Sequence, residues 1–495
     1  MGDARIEIQS EFPNVAGSSS SSGGEKWNQD VVDRDRIRLM ETALSADWQR
    51  RRLRKSADCC CIFRIPPSFG EGCYQPSMVS IGPYHHGREE LKTMEENKRR
   101  SLATLLERTR KKMGLTLEDY FVKVKSVEGE ARDCYSEAIL LESHEFVEIL
   151  VVDGCFIVEL FRKVAGRIPY EEGDPILSLD WTFRSLMKDL TCLENQIPFV
   201  VLQALFDLTQ SPDKPGYADR VALSSLALHF FSFEPSIRRP MNIWRGGESV
   251  VVGRHLLDFL RLSFVIEMPE PESPPSNPPG TARSDVTRCI SNWRNPGCKT
   301  TVFVPVSHAI RCISMLRGAG IKVTRREGAQ SVLAIRFKGS AIEMPPIRMD
   351  DFMAAFLRNC VAFEHCLECQ YRSITKYAIL LDGLIDTYED VEVLCDQGIL
   401  ENHLGTKGEV ATFVNELVKG VIVDDYILHG YLHKLFGEVN QYYNDSWNVY
   451  WAILKNKYFN SPWSIMSFFA AIVLLLLSVA QTLFAFLAYV NPPHG

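Results

Sequence analysis

Apolar positions along this chain recur mainly at helical spacing. From Met94 to Lys112, Leu102, Leu105 and Leu106 are set among charges, with Met113 following, the pattern of a helix that buries one stripe. Ser136 to Ala165 is so rich in Leu, Ile, Val and Phe that it reads as a helix covered on several sides. Asp180 to Leu208 continues the pattern but holds Pro198, which disfavours helix at Ile197 and should kink or divide the element. Asp350 to Leu384 and Val410 to Leu435 are the next helical stretches. Between the helical halves the period changes. Ile321-Lys322-Val323-Thr324 alternates, Val332 to Phe337 is apolar and β-prone, and Glu327-Gly328 reads as a turn between them. No repeat period is visible, which argues against a solenoid.

The longest apolar run lies near the C-terminus. No residue from Trp463 to Val490 is charged, and Phe468 to Leu477 is almost wholly apolar. A helix needs roughly 20 apolar residues to cross about 30 Å of hydrocarbon, so this stretch has length to spare. Ser478, Gln481 and Thr482 weaken it little, because hydroxyl groups can bond back to the helix. Leu475 falls near the middle of the span, and Trp463 and Tyr489 sit where interfacial aromatics belong. Lys455 and Lys457 precede the span, which predicts a cytosolic body with Asn491 to Gly495 on the far side. The plasma membrane is expected ahead of internal membranes.

The expected fold is therefore mainly α: a helical globular domain over residues 31–455 with a small β patch at about 301–346, then one transmembrane helix at 463–490. Residues 1–30 contain Ser18 to Gly24, a polar tract that cannot bury enough surface to order itself, and are read as a disordered tail. Met268 to Gly280 is a proline-rich exposed loop. Asp33 to Lys55 carries eight Arg or Lys against four Asp or Glu and ends in Arg50-Arg51-Arg52-Leu53-Arg54-Lys55. It reads as a solvated helix face, or as a patch for anionic lipid or an acidic partner, and the lipid reading would make the chain a membrane-surface scaffold.

Composition adds limits rather than an activity. The 495 residues are 46% hydrophobic and 10% aromatic, enough for a sizeable core, and the net charge of −7 gives no reason to expect nucleic acid as a partner. The opening Met1-Gly2-Asp3-Ala4-Arg5-Ile6-Glu7 has no apolar core of the secretory kind, so the 14 cysteines are expected as free thiols in a reducing cytosol.

The chemistry-bearing clusters are incomplete. His85-His86 lies in a turn set by Pro83 and Gly87, and two imidazoles alone do not make a metal site. Cys360, His365, Cys366 and Cys369 lack a matching second ligand pair and read as packed thiols. Cys59-Cys60-Cys61 would suit palmitoylation if the basic run meets a bilayer. His429 and His433 have the spacing of a zinc protease, but Gly430 replaces the glutamate that its chemistry needs. Asp153 and Glu194 stand inside apolar runs, so each must be paired, hydrogen-bonded or protonated. Asn195 and Gln196 are placed to join such a core network, and a hydrolase built on the two carboxylates is the alternative. Asp382, Asp386 and Asp390 recur at helical spacing and read as a solvated face. Neither catalytic residues nor a cofactor or metal are expected.

Four blocks carry a family resemblance: Ile62 to Pro67 through Ser80 to Gly87; Val151-Val152-Asp153-Gly154-Cys155-Phe156; Leu193-Glu194-Asn195-Gln196-Ile197-Pro198-Phe199; and Leu380 to Thr387 with the apolar tail. Together they resemble the plant family called domain of unknown function 247, or UPF0481-type proteins, whose members end in one membrane helix. The resemblance runs from about Cys60 to Leu487. It implies no established reaction. Some grass members are candidate determinants of self-incompatibility, in which pollen is rejected at the stigma, and that role would place the large domain outside the cell, against the lysine-based orientation. The functional expectation is a membrane-anchored, non-enzymatic recognition or signalling protein whose helical domain binds another, unidentified protein.

Overall fold

The computed structural model describes Met40 and residues 60–66, 73–169, 176, 179–210, 222–237, 253–265, 310–329, 331–367, 372–421, 431–445 and 462–490. The tail before residue 31, the basic run apart from Met40, Cys59, the proline-rich loop, Cys369, His429 and the two lysines before the span lie outside these residues. The chain divides into two units, Met1–Ala57 and Asp58–Gly495, and all that follows concerns the second.

Its N-terminal helices are α1 (Lys92–Met113), α2 (Leu117–Lys125), α3 (Glu128–Asp133), α4 (Ser143–Val164), α5 (Asp180–Asp189), α6 (Phe199–Leu208), α7 (Leu223–Phe231) and α8 (Leu256–Val265). The long α4 is the axis of this half: α1, α2, α6 and α7 all pack on it. Its near-complete burial from Ile149 onward follows from its sequence, with Leu150, Ile157 and Phe161 inside the core. Gly154 lets α6 approach, because a Cβ there would collide with Leu205 Cδ1. Helix α4 starts at Ser143, later than the apolar run suggested, because Glu142 and Glu145 form a capping box. Pro198 divides the Asp180 to Leu208 stretch as expected and stands as the N-cap of α6.

The C-terminal half holds α9 (Ile313–Gly318), β1 (Lys322–Arg325), β2 (Arg336–Lys338), β3 (Ala341–Met344), β4 (Ile347–Met349), α10 (Asp351–Cys366), α11 (Ser373–Leu384), α12 (Tyr388–Asp396), β5 (Leu400–Asn402), α13 (Lys407–Leu417) and α14 (Tyr431–Asn444). One sheet has the order β1-β3-β2, and a second pairs β4 with β5. The small sheet patch and the turn at Glu327-Gly328 are both present, but the two β-prone stretches do not pair with each other. β1 runs parallel to β3, with Val323 opposite Ile342, while β2 takes the other edge of β3 in antiparallel register. The stretch from Asp350 to Leu384 is two helices rather than one, and α13 ends at Leu417 well before Leu435. A single apolar cluster runs through both halves, and α10 joins them by packing on α5 and α8 as well as on α11 and α13.

The last helix, α15, spans Pro462–Val490. Its segment Ile465–Leu487 has a mean hydropathy of 2.4 and no buried share, long and apolar enough to cross a membrane. Trp463 and Leu475 are exposed on it, and Tyr489 belongs to its last turn, where side chains are not described.

The break between α10 and α11 is held by Glu364, fully buried on α10. Its carboxylate accepts from Ile374 N at 3.2 Å, from Thr375 N and Oγ1 at 2.8 Å each, and from Arg261 Nη1 at 2.9 Å. It thus caps the N-terminus of α11 from outside. Glu364→Ala leaves two buried amides and the Thr375 hydroxyl without this acceptor, while Arg261 keeps Asp258, and should lower stability by about 2 to 4 kcal/mol in urea unfolding at neutral pH.

Candidate functional site

The segment from Cys73 to Gly87 has almost no regular structure, yet much of it is buried. Its amides must therefore find partners other than a strand or helix. Asp189, at the end of α5, accepts from Ser77 N at 2.9 Å, Met78 N at 2.7 Å and Val79 N at 2.9 Å. Asn195 takes Ile81 N on Oδ1 at 2.7 Å and donates from Nδ2 to the carbonyls of Val79 and Asp189 at 3.0 Å. Asp153, on α4, takes Gly82 N at 2.8 Å. Side chains of helices and of the α5–α6 connection thus stand where a neighbouring strand would be.

Gly82 has φ of +77°, and a Cβ there would lie 2.6 Å from the carbonyl oxygen of Gln196, so both conformation and space require glycine. Gln196 ties its own connection together, donating to the carbonyls of Leu190 and Cys192 at 2.8 Å and accepting from Leu257 N at 3.2 Å. Tyr135 closes the arrangement by donating to Gln196 O at 3.1 Å.

The electrostatics centre on Lys98. This lysine is fully buried on α1 and donates to Asp153 Oδ1 at 2.6 Å and to the Ser80 carbonyl at 2.7 Å, with Glu95 also paired to it. Burial alone would lower the pKa of its ammonium, but Asp153 and Glu95 outweigh burial and hold it above the ordinary lysine value. Burial pushes the Asp153 carboxyl up, against the opposing pull of Lys98 and the Gly82 amide. Burial likewise raises Asp189, against the three amides that it accepts.

Glu194 sits a step away. Its Oε1 accepts from Ile65 N at 2.8 Å, and its Oε2 lies 3.1 Å from His85 Nε2. His85 is buried whereas His86 is exposed, so the two neighbouring imidazoles face different surroundings and do not converge on one ion. Among the described residues, no group of three or more His, Cys, Asp or Glu is placed to hold a metal.

Near residues 60–66 lies His255, fully buried at the start of α8. Its Nε2 faces the Cys61 carbonyl at 2.9 Å, and its Nδ1 receives Asp258 N at 3.3 Å. That pattern fits the neutral ring protonated on Nε2. Burial drives its pKa down to about 4, with the Asp258 carboxylate opposing.

His85, Asp153, Glu194, Asn195 and Gln196 are thus brought together, and the first three sequence blocks converge. The fourth does not. Asp382 is half-buried near the end of α11, Asp386 is exposed in the break after it, and Asp390 is fully buried on α12. The reading of these three as one solvated helical face is corrected: a helix end separates them, and Asp390 accepts from Ser314 N at 2.8 Å and from Asp386 N and Thr387 N at 3.0 and 3.1 Å. The sequence reading missed Lys98, Asp189 and His255. Lys98 had a signal, since it stands on the same helical stripe as Met94, Leu102 and Leu105.

The sequence profile of DUF247, described as plant protein of unknown function, matches residues 62–477. The chain belongs to that family. It is 34% identical over 442 residues to UPF0481 protein At3g47200 of Arabidopsis thaliana, covering 88% of each chain. It is 25% identical over 491 residues to a second Arabidopsis thaliana UPF0481 protein, At3g02645, covering 85% of this chain and 89% of the other. No solved structure gives a significant match. The DUF247 match therefore covers the whole buried network and most of α15.

Two predictions follow from the charges. Lys98→Met leaves the buried Asp153 carboxylate without its cation and should lower stability by about 3 to 5 kcal/mol in urea unfolding, while Asp153→Asn leaves Lys98 with Glu95 and the Ser80 carbonyl and should cost less, about 2 to 3 kcal/mol. The double variant should cost less than the sum by on the order of 2 kcal/mol, and strictly additive costs would show that the pair is not one unit. For His255, the unfolded ring takes up a proton near pH 6.5 while the folded ring resists until about 4. Its contribution is present above 6.5 and lost as pH falls through that window, by up to about 3 kcal/mol. His255→Gln should flatten the stability profile between pH 6.5 and 4.

Proposed function

We propose that this DUF247 chain is a membrane-anchored recognition protein without a reaction of its own, its helical body binding another protein while α15 holds that body at a bilayer. The observation that carries the reading is the exposure of the apolar segment Ile465–Leu487, whose composition fits hydrocarbon and whose side chains the rest of the described chain does not bury. A core helix of the same composition would be covered. The non-enzymatic part is supported by the use of Asp153 and Glu194. Each oxygen for which a bond is described is spent on a backbone amide, a lysine or a histidine inside the body.

The body is assigned to the cytosolic face on the charges of Lys455 and Lys457, and the plasma membrane is the proposed membrane. Pollen–stigma recognition is a narrower form of the same role, and its support is family resemblance. It would require the opposite orientation.

Expressed at full length, the protein should stay with membranes through carbonate extraction, and deletion of residues 463–490 should release it. An intact protein that washes off would defeat the reading. Protease protection with tags at both ends decides the face. Asp153→Asn and Glu194→Gln should weaken folding without removing any turnover, whereas loss of a turnover in a still-folded variant would establish a hydrolase.

A further inference from the structure

Ile62 and Tyr135 form a parallel β-bridge outside the named strands. Cys61 N and Ile62 N both donate to the Cys134 carbonyl, at 2.8 and 2.9 Å, and Ser136 N donates to the Ile62 carbonyl at 2.9 Å. This register sets Cys61 beside Cys134 and sends both side chains to the face opposite Ile62 and Tyr135. Bridged strands run about 4.8 Å apart, inside the Cα separation of about 4.4 to 6.8 Å that a disulfide accepts. The Cys134 thiol donates to the Glu130 carbonyl at 3.4 Å, so it is held at this corner rather than free to swing away.

We propose that Cys61 and Cys134 are a peroxide-responsive dithiol, converted to a disulfide without rearrangement of the fold. The two sulfurs are not equivalent. Cys61 is 1% exposed, while Cys134 is half-buried at the C-terminus of α3. The neighbouring Cys61 holds the Cys134 thiol below its ordinary pKa, whereas Cys134 and burial raise that of Cys61. Cys134 is thus the attacking thiolate and Cys61 the resolving partner. The Cys134 thiolate breaks the O–O bond of hydrogen peroxide, giving a sulfenic acid and hydroxide. The Cys61 sulfur then forms the S–S bond as the sulfenic oxygen leaves as water. Two thiols lose two electrons, and one peroxide becomes two waters. By contrast, Cys155, Cys192 and Cys360 are buried with raised pKa values and should be inert.

The bond would close on the segment 60–66 that serves the buried network. Cys61 O holds His255, and Ile65 N holds Glu194, so oxidation would fasten residues 60–66 to the α3–α4 corner.

The test uses the full-length protein in detergent, reduced, then treated with hydrogen peroxide, alkylated and digested for mass spectrometry. The Cys61 and Cys134 peptides should appear joined, about 2 Da lighter than their sum, and separate with dithiothreitol. Both should lose alkylation while Cys155, Cys192 and Cys360 keep it after unfolding. In Cys134→Ser, Cys61 should stay alkylatable after peroxide. The thermal midpoint of the oxidised protein should equal or exceed that of the reduced one. The proposal is overturned if both thiols stay alkylatable after peroxide, if Cys134 goes to the sulfinic acid or joins a different cysteine, or if oxidation lowers the midpoint.

Discussion

The fold depends on satisfying backbone amides in places where no helix or sheet can reach them. A buried amide without a partner costs on the order of 1 to 3 kcal/mol, and the segment from Cys73 to Gly87 buries several in sequence. The chain answers with carboxylates and carboxamides fixed on rigid elements. Asp189, Asn195 and Asp153 divide the amides of Ser77 to Gly82 among them. Glu364 does the same for the start of α11, and Asp390 for Ser314 and the start of α12. The recurrence explains why so many acids are buried: each costs desolvation, and each offsets several unmet donors.

Charge balance follows from that arrangement. An acid buried for its lone pairs still needs a cation or a proton. Lys98 supplies a cation to Asp153, and Arg261 serves Asp258 and Glu364 together. Arg108 and Arg162 both reach Glu159 on the far part of α4. These pairs add little net stability compared with an apolar core, but losing one member is costly, so they bind the helices to one mutual arrangement.

Much of this was legible in the sequence. Helical spacing located most helices, because a 3.6-residue stripe survives whatever it packs against. Pro198 marked the start of α6, although α5 already ends at Asp189. Asp153 and Glu194 stood out as charges inside apolar runs. What failed was long-range or terminal. The β1–β3 pairing skips the nearest candidate strand, and no local pattern records which edge a strand joins. The end of α11 at Leu384 came from a capping box at Thr387 and Asp390 that looked like part of a charged face. Asp189 resembled any helix-terminal carboxylate, and its three partners lie more than a hundred residues away. The bridge beside Cys61 had no sequence signal beyond the cysteines themselves.

Asn359, on α10, is bonded on one side to Leu193 N and on the other to the Cys73 carbonyl, the latter across 286 positions. On the ribosome, chain leaves at roughly 5 to 20 residues per second, so the early segment waits about 15 to 60 s for that partner. Asp153, Asp189 and Asn195 reach the amides of Ser77 to Gly82 earlier, but through that interval the Cys73 carbonyl and the apolar surface that α10 covers have only water or a chaperone. The architecture therefore ties completion of the first third of the protein to translation of the last third, and truncated products should be cleared rather than accumulate as folded N-terminal fragments.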